Sequence, residues 1–177
     1  VSVRTATPTL TDASRTWKKV VGGKAYAFFL AEDGSLWAAG TQESGVQGVG
    51  DGLDHKVLTR IGTDNDWADM ACSRFWGYSG FAIKTDGTLW AWGENIKPVQ
   101  VGTDTDWKQV SAGSSTVLAL KTDGSLWGWG FNMYSELPGF EGKQYSPVRL
   151  GSETDWEQVI MVDYRAYAVK KDGTLWA

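Results

Sequence analysis

One short pattern recurs four times along the chain, and it constrains the fold more than any other feature. In every copy an Asp-Gly pair precedes a Leu-Trp pair, and the tryptophan lies four residues after the aspartate. The copies begin at Asp33, Asp86, Asp123 and Asp172. Each copy lies in a segment that opens on a further tryptophan: Trp17, Trp67, Trp107 and Trp156. These opening tryptophans are 50, 40 and 49 residues apart, a period that indicates a protein built from stacked repeat units.

The unit that opens at Trp107 predicts four short strands, over residues 107–112, 117–121, 126–129 and 147–150. Its Asp123-Gly124 pair predicts a tight hairpin turn, because these residue types tolerate positive φ. The second strand is apolar without alternation, which predicts a strand covered on both faces. Sheets stacked around an axis cover one another in this way. The sequence therefore predicts an all-β fold, a β-propeller of four-stranded antiparallel blades.

The whole chain, residues 1–177, is interpreted as one propeller domain with four blades. The blades are predicted at residues 17–66, 67–106, 107–155, and 156–177 together with 1–16. Thr7–Leu10 resembles a fourth strand, since Pro8 precedes Trp17 by nine residues, as the corresponding prolines do in two later units. This N-terminal strand is predicted to complete the last blade. Closure of four blades within one chain is favoured, and a larger ring, formed by self-association or by a longer chain, is the alternative.

Two segments carry a resemblance to a known family. Residues Ala112–Asn132 and Ser146–Gly151 resemble the regulator-of-chromosome-condensation repeat, and the link Gly102–Trp107 is similar to that of bacterial members. The resemblance implies a propeller, which in this family usually has about seven blades. It implies no single function, because members include nucleotide exchange factors, a plant light sensor and enzyme inhibitors. Ser135–Pro138 departs from the Gly-Gln-Leu-Gly of the family, and no exchange-factor residue is carried over.

Composition excludes several classes of function. The net charge of −4 gives no basic field, so no nucleic-acid partner is predicted. No apolar run approaches the ~18 residues of a membrane span, so no membrane insertion is predicted. The single cysteine, Cys72, is interpreted as a small buried residue. The first residue, Val1, is not a methionine, and we expect a secreted or cell-surface protein whose export signal was removed, with a cytoplasmic location as the alternative.

The alternation of strand direction assigns the connections to two faces. The Asp-Gly turns and the links between blades share one side, here called the turn face, and they are nearly identical in every unit. The connections between strands one and two and between strands three and four share the other side, the loop face. Three unequal loops are predicted there, over residues 41–56, 72–79 and 131–146. Loops that vary on a constant scaffold are where propellers usually carry function.

The predicted binding residues are aromatic or basic side chains of the loop face: Arg74, Phe75, Trp76, Tyr78, Tyr134 and Tyr145. Tryptophan, tyrosine and arginine are the types that anchor interfaces. A protein partner is the first hypothesis for what they bind. A carbohydrate-binding, lectin-like propeller and a self-associating structural unit are the alternatives. It also remains open whether these rings fold down onto the blade edges.

No catalytic, metal or cofactor site is predicted, and the chain is interpreted as a binding or scaffold module that is not an enzyme. His55 is the only histidine and is interpreted as a solvated loop residue beside Asp51 and Asp54. The pairs Asp64/Asp66 and Asp104/Asp106 have the spacing of calcium ligands but lack further ligands, so they are interpreted as turn caps. The run Gly45–Gly50 lacks the residues of a phosphate loop and is interpreted as a flexible loop.

Overall fold

A computed structural model describes the chain from residue 12 onward, except for residues 24, 41–46, 74–79, 94–95, 133–134, 136 and 140–141. The described residues form fifteen strands in four antiparallel sheets, in which neighbouring strands pair in chain order. They include no helix long and apolar enough to cross a bilayer. The predicted all-β propeller architecture with four repeats is confirmed.

Each sheet is one blade. Blade 1 contains β1 (Trp17–Gly22), β2 (Tyr26–Ala31), β3 (Leu36–Gly40) and β4 (His55–Arg60). Blade 2 contains β5 (Trp67–Cys72), β6 (Gly80–Lys84), β7 (Leu89–Trp92) and β8 (Val99–Gln100). Blade 3 contains β9 (Trp107–Ala112), β10 (Thr116–Lys121), β11 (Leu126–Asn132) and β12 (Gly142–Arg149). Blade 4 contains β13 (Trp156–Val162), β14 (Arg165–Lys170) and β15 (Leu175–Trp176).

The recurring Asp-Gly pattern is explained by a relay of hydrogen bonds at each turn. In blade 1 the Ser35 hydroxyl donates to Asp33 Oδ1 (2.6 Å), and the Trp37 indole N–H donates to the Ser35 hydroxyl (2.8 Å). Threonine replaces this serine in blades 2 and 4 and makes the same two bonds. The relay fixes the turn and the indole together, which explains why Asp and Trp keep a constant spacing.

The core lies between the blades. Phe28 and Leu30 of blade 1 pack against Met70 and Trp92 of blade 2. The same strands of blades 2 and 3 present their apolar side chains to the blade that follows. Cys72 is buried in the first of these clusters, as predicted. Each blade is therefore stabilised by apolar packing on its neighbour as well as by its own strand pairing.

One feature of the fold differs from the sequence prediction, and another is not shown by the described residues. In blade 3 the strands extend into the predicted loop 131–146, because the register shifts between Gly128 and Gly130 and the ladder then continues from Gly130 to Asn132. Val20 in blade 1 (63% exposed) and Leu175 in blade 4 (69% exposed) are not covered by each other's blade, so the described residues alone do not show the favoured closure within one chain, which stays a prediction. Thr7–Leu10 lies outside the described residues, and its place in the last blade stays a prediction.

Candidate binding surface

Five of the six predicted binding residues lie outside the described part of the chain: Arg74, Phe75, Trp76, Tyr78 and Tyr134. The sixth, Tyr145, lies in strand β12 and is 71% exposed. Lys143 Nζ lies 4.3 Å from the centre of the Tyr145 ring. Tyr145 also lines a groove of about 160 Å³ between blades 2 and 3. The prediction that Tyr145 lies in a loop was wrong, since β12 already begins at Gly142.

A chain of hydrogen bonds joins the loop-face ends of the four blades. The Tyr26 hydroxyl of blade 1 donates to the Ser73 carbonyl of blade 2. The Ser73 hydroxyl donates to the Ser114 carbonyl of blade 3 (3.0 Å), and the Ser114 N–H donates to the Asp163 carbonyl of blade 4 (2.8 Å). Ser73 is buried and is the second residue of the predicted loop 72–79. This loop therefore starts from a fixed point on a rigid scaffold.

The side-chain amide of Gln47 is buried and holds the described part of the predicted loop 41–56, residues 47–56. The Gln47 side chain is fully buried, accepts a hydrogen bond from the His55 N–H (3.1 Å) and donates to the His55 carbonyl (3.3 Å). Gly48 lies so close to Trp92 that a Cβ there would contact the indole. The interpretation of Gly45–Gly50 as a flexible loop was therefore wrong for its described residues, because Gln47 satisfies two backbone groups that burial would otherwise leave unpaired.

Blade 3 uses the same device with a different residue. The Asn132 side chain accepts a hydrogen bond from the Leu137 N–H (2.9 Å) and donates to the Leu137 carbonyl (2.7 Å). Leu137 is only 2% exposed and packs into the cluster between blades 3 and 4. The residues that depart from the family's Gly-Gln-Leu-Gly thus keep a buried leucine. Sequence reasoning missed both amides, because a polar residue near glycines gives no local sign of burial.

The sequence suggested that His55 is a solvated loop residue, and the structure shows that it is not. It opens strand β4, its side chain is 17% exposed, and its Nε2 lies 3.0 Å from Asp51 Oδ1. The hydrogen bond from His55, supported by the Leu53 N–H, holds the pKa of Asp51 below its ordinary value. Within the described ranges, no group of three or more His, Cys, Asp or Glu side chains could hold a metal ion. The contact between His55 and Asp51 thus joins the blade 1 loop to the start of strand β4.

The turn face carries a repeated cluster of one lysine, two tryptophans and two aspartates. In blade 3, Lys121 Nζ lies 4.9 Å and 4.6 Å from the ring centres of Trp107 and Trp127. The same ammonium pairs with Asp104 (2.7 Å) and Asp106 (3.0 Å). Burial lowers the pKa of Lys121, but the hydrogen bonds to the two aspartates outweigh burial and raise it. Lys84 of blade 2 makes the same contacts with Asp64 and Asp66.

The aspartate pairs of the turn face are therefore partners of lysine, and their interpretation as turn caps was incomplete. The lysine ammonium supplies the positive charge that a bound cation would bring. Blade 1 has Ala31 at the lysine position, and there Arg15 lies 3.9 Å from the Trp37 ring centre and pairs with Asp12 (2.6 Å). Lys170 of blade 4 pairs with Asp155 (3.1 Å), so the charges of these clusters are paired within the chain in all four blades.

These repeats are similar to those of known proteins. The model of the "Regulator of chromosome condensation (RCC1) repeat" family matches residues 107–135. No curated protein matches the chain. Human WBSCR16 is 17% identical, with a TM-score of 0.75 over 90% of this chain and 46% of its own. Yeast RCC1 (Prp20), solved with Kap60, is 20% identical, with a TM-score of 0.73 over 95% of this chain and 44% of its own.

A further structure, of Prp20p from Saccharomyces cerevisiae, is 20% identical, with a TM-score of 0.75 over 93% of this chain and 45% of its own. This chain therefore spans less than half the length of these similar structures. Residues 107–135 thus carry a regulator of chromosome condensation repeat, and the chain shares its propeller fold with these solved structures.

Proposed function

We propose that this chain is a non-catalytic binding module that engages a protein partner through its loop face, over the loops 41–56, 72–79 and 131–146. The observation that carries the proposal is the contrast between the two faces. On the turn face the lysines of blades 2 and 3 pair with two aspartates each, so the charges of these clusters satisfy one another. A surface whose charges are already paired offers little to a partner, so the varied loop face is the better candidate.

The anchoring of the loops supports the same conclusion. Ser73, Gln47 and Asn132 each fix one of the three loops to the blades through hydrogen bonds to backbone groups. A loop that is held at its base loses less conformational entropy when it binds than a free loop does. Trp76 and Tyr78, which follow Ser73 in the sequence, are of the residue types that dominate interface energies.

A relative with the same fold binds proteins. Yeast Prp20 has been solved bound to Kap60, and its binding to Gsp1p and histones has been described. At 20% identity the similarity shows a shared fold, and it transfers none of those partners to this chain. This similarity supports the proposal that the ligand of this propeller is a protein.

The test compares two faces of the same chain against one partner. The immobilised chain is used to capture a protein, which is identified, purified and titrated by calorimetry. Replacing Trp76→Ala together with Tyr78→Ala should raise Kd about 30-fold, or about 2 kcal/mol, because truncated anchors leave their pockets empty. The matched control replaces Thr63→Ala and Thr103→Ala in two equivalent links of the turn face, and it should leave Kd unchanged.

Two results contradict the proposal. Equal weakening by the loop pair and the control pair would show that the loop face is not the binding surface. Binding on a glycan array with no protein captured would instead favour the carbohydrate-binding alternative.

A further inference from the structure

The joint between blades 2 and 3 differs from the joints on either side of it, each of which is filled by a side chain from a loop. Leu137 of blade 3 fills the joint to blade 4, where it is 2% exposed. Val49 of blade 1 packs on the cluster between blades 1 and 2. Both residues lie in connections between a third and a fourth strand, which the side-chain amides of Asn132 and Gln47 hold in place. Each of these connections thus supplies one apolar side chain to the joint that follows it.

The corresponding connection of blade 2 is shorter and supplies no such side chain from its described residues. It runs over residues 93–98, whereas those of blades 1 and 3 run over residues 41–54 and 133–141. Its Ile96 is 44% exposed. None of its described residues belongs to the apolar cluster between blades 2 and 3.

The groove of about 160 Å³ between blades 2 and 3 lies where that side chain would be. Ala91 lines the groove, and its counterpart in blade 3 is Gly128. Leu137 lies directly on Gly128, because a Cβ at that glycine would be 2.6 Å from Leu137 Cδ1. Val101 also lines the groove and is only partly buried, although its counterpart Leu150 is 4% exposed. The groove therefore occupies the place that a leucine fills in the next joint.

The walls of the groove determine the size of the group that fits it. Phe81 and Trp129 form its buried end, where their ring centres lie 5.9 Å apart with the rings edge to face. Val99 (49% exposed) and Tyr145 form its mouth. An apolar cavity of about 150 Å³ holds one benzene-sized group. The groove therefore fits a single apolar side chain of about the size of leucine.

The mouth of the groove also has a cation whose charge is not paired. Lys143 Nζ lies 4.3 Å from the centre of the Tyr145 ring and 4.0 Å from that of Phe131. No carboxylate of the described residues pairs with this ammonium. On the turn face, by contrast, Lys84 and Lys121 each pair with two aspartates. A carboxylate of a partner would therefore meet an unpaired positive charge beside the groove.

We propose that this groove is the anchor site for a segment of the protein partner, an inference that rests on the function proposed above. The segment inserts one leucine-sized apolar side chain between blades 2 and 3 and places an acidic residue beside Lys143. A peptide is the occupant because peptide loops of this chain fill the joints on either side with valine and leucine. Tyr145 belongs to the predicted loop 131–146, so the groove is continuous with the loop face.

The first test selects a ligand for the groove directly. A display library of random peptides of about 12 residues is selected on the immobilised chain, and enriched peptides are titrated by fluorescence polarisation. The expected peptides share one leucine, isoleucine or phenylalanine close to an aspartate or glutamate. Replacing the apolar residue of such a peptide by alanine should raise Kd about 30-fold, because the groove is then left empty.

A matched pair of variants tests whether these peptides occupy the groove. Val99→Trp places an indole at the mouth and should raise the peptide Kd about tenfold or more. The control is Val57→Trp, because Val57 is also exposed (73%) on a fourth strand, but in blade 1, whose joint Val49 already fills. The control should leave Kd unchanged, and urea unfolding verifies that both variants are folded.

Charge reversal tests the acidic residue of the segment. Lys143→Glu should raise the Kd of an acidic peptide about two- to fivefold, since an exposed ion pair contributes little. A peptide whose acidic residue is replaced by lysine should bind Lys143→Glu better than it binds the unchanged chain. Equal Kd values for the two peptides on both chains would show that no carboxylate lies beside Lys143 and would overturn that part of the proposal.

Methyl signals in nuclear magnetic resonance locate the bound peptide. Those of Ala91 and Val101 should shift on binding, whereas those of Val49 and Ile61, in the joint between blades 1 and 2, should not. In the free chain, contacts between the Val101 methyl groups and a side chain other than those lining the groove would show that the groove is already filled. That result would overturn the proposal.

The outcomes separate the groove from the loop-face function. Selection of no peptide with an apolar anchor, or equal binding of the peptides to the unchanged chain and to Val99→Trp, would overturn the groove proposal. A captured protein that is weakened by Trp76→Ala with Tyr78→Ala, and not by Val99→Trp, would overturn it while the loop-face function stands. Weakening of that protein by Val99→Trp alone would support the groove and contradict the role of Trp76 and Tyr78.

Discussion

The turn face and the loop face are the two ends of the same strands, yet they are held together in different ways. On the turn face the same lysine, aspartate and tryptophan contacts recur in blades 2, 3 and 4, and Arg15 takes the place of the lysine in blade 1. On the loop face the anchoring residues differ: Gln47 serves blade 1 and Asn132 serves blade 3. The recurring contacts of the turn face hold the links between blades, which every blade has. The single contacts of Gln47 and Asn132 each hold a loop that only one blade has.

The largest expected difference between the faces is the cost of a side chain at glycine. Gly87 on the turn face and Gly52 on the loop face both have positive φ, at 78° and 73°. Alanine at either position costs about 1 kcal/mol of unfolding free energy for the left-handed conformation. At Gly87 the added Cβ would also collide with the Thr105 carbonyl of the next link, whereas Gly52 faces open space. Gly87→Ala should therefore lose about 3 kcal/mol in urea unfolding, and Gly52→Ala about 1.

Equal losses in the two variants would contradict this expectation. They would mean that the links can move away from the turns, and that the turn face is less tightly packed than its carbonyl contacts imply.

A smaller effect is expected in acid, and it should come from the turn face. Hydrogen bonds from the Thr88 hydroxyl and then from the Thr88 N–H hold the pKa of Asp86 below its ordinary value of 3.8. Asp33, Asp123 and Asp172 are lowered in the same way. A depressed folded-state pKa means that the unfolded chain takes up protons first, so this stabilisation is complete above pH 3.8 and is lost as the pH falls below it.

Asp86→Asn keeps an oxygen for the turn but removes the titration. In urea unfolding between pH 7 and pH 3, its stability should fall less steeply than that of the unchanged chain. If Asp86→Asn and the unchanged chain lose stability in parallel, the turn relay does not contribute to the acid dependence.

The strands and turns could be predicted from the sequence because their signals are local. The Asp-Gly turn and its tryptophan lie within five residues and share one relay of hydrogen bonds. The pairing of Lys121 with Asp104 could not be predicted, since 17 residues separate them and they meet only after the sheet has formed. Tyr145 was assigned to a loop because nothing in its neighbourhood reveals the register shift that extends β11 and β12.

Hydrogen exchange of the chain, with and without its captured partner, shows which of the two faces the partner covers. Backbone amides of residues 47–54 and 72–79 should exchange more slowly when the partner is bound. Those of the links 62–66 and 102–106 should be unchanged, because the charges of the turn face are already paired within the chain. Protection of the links with no change in the loops would contradict the account and place the partner on the turn face.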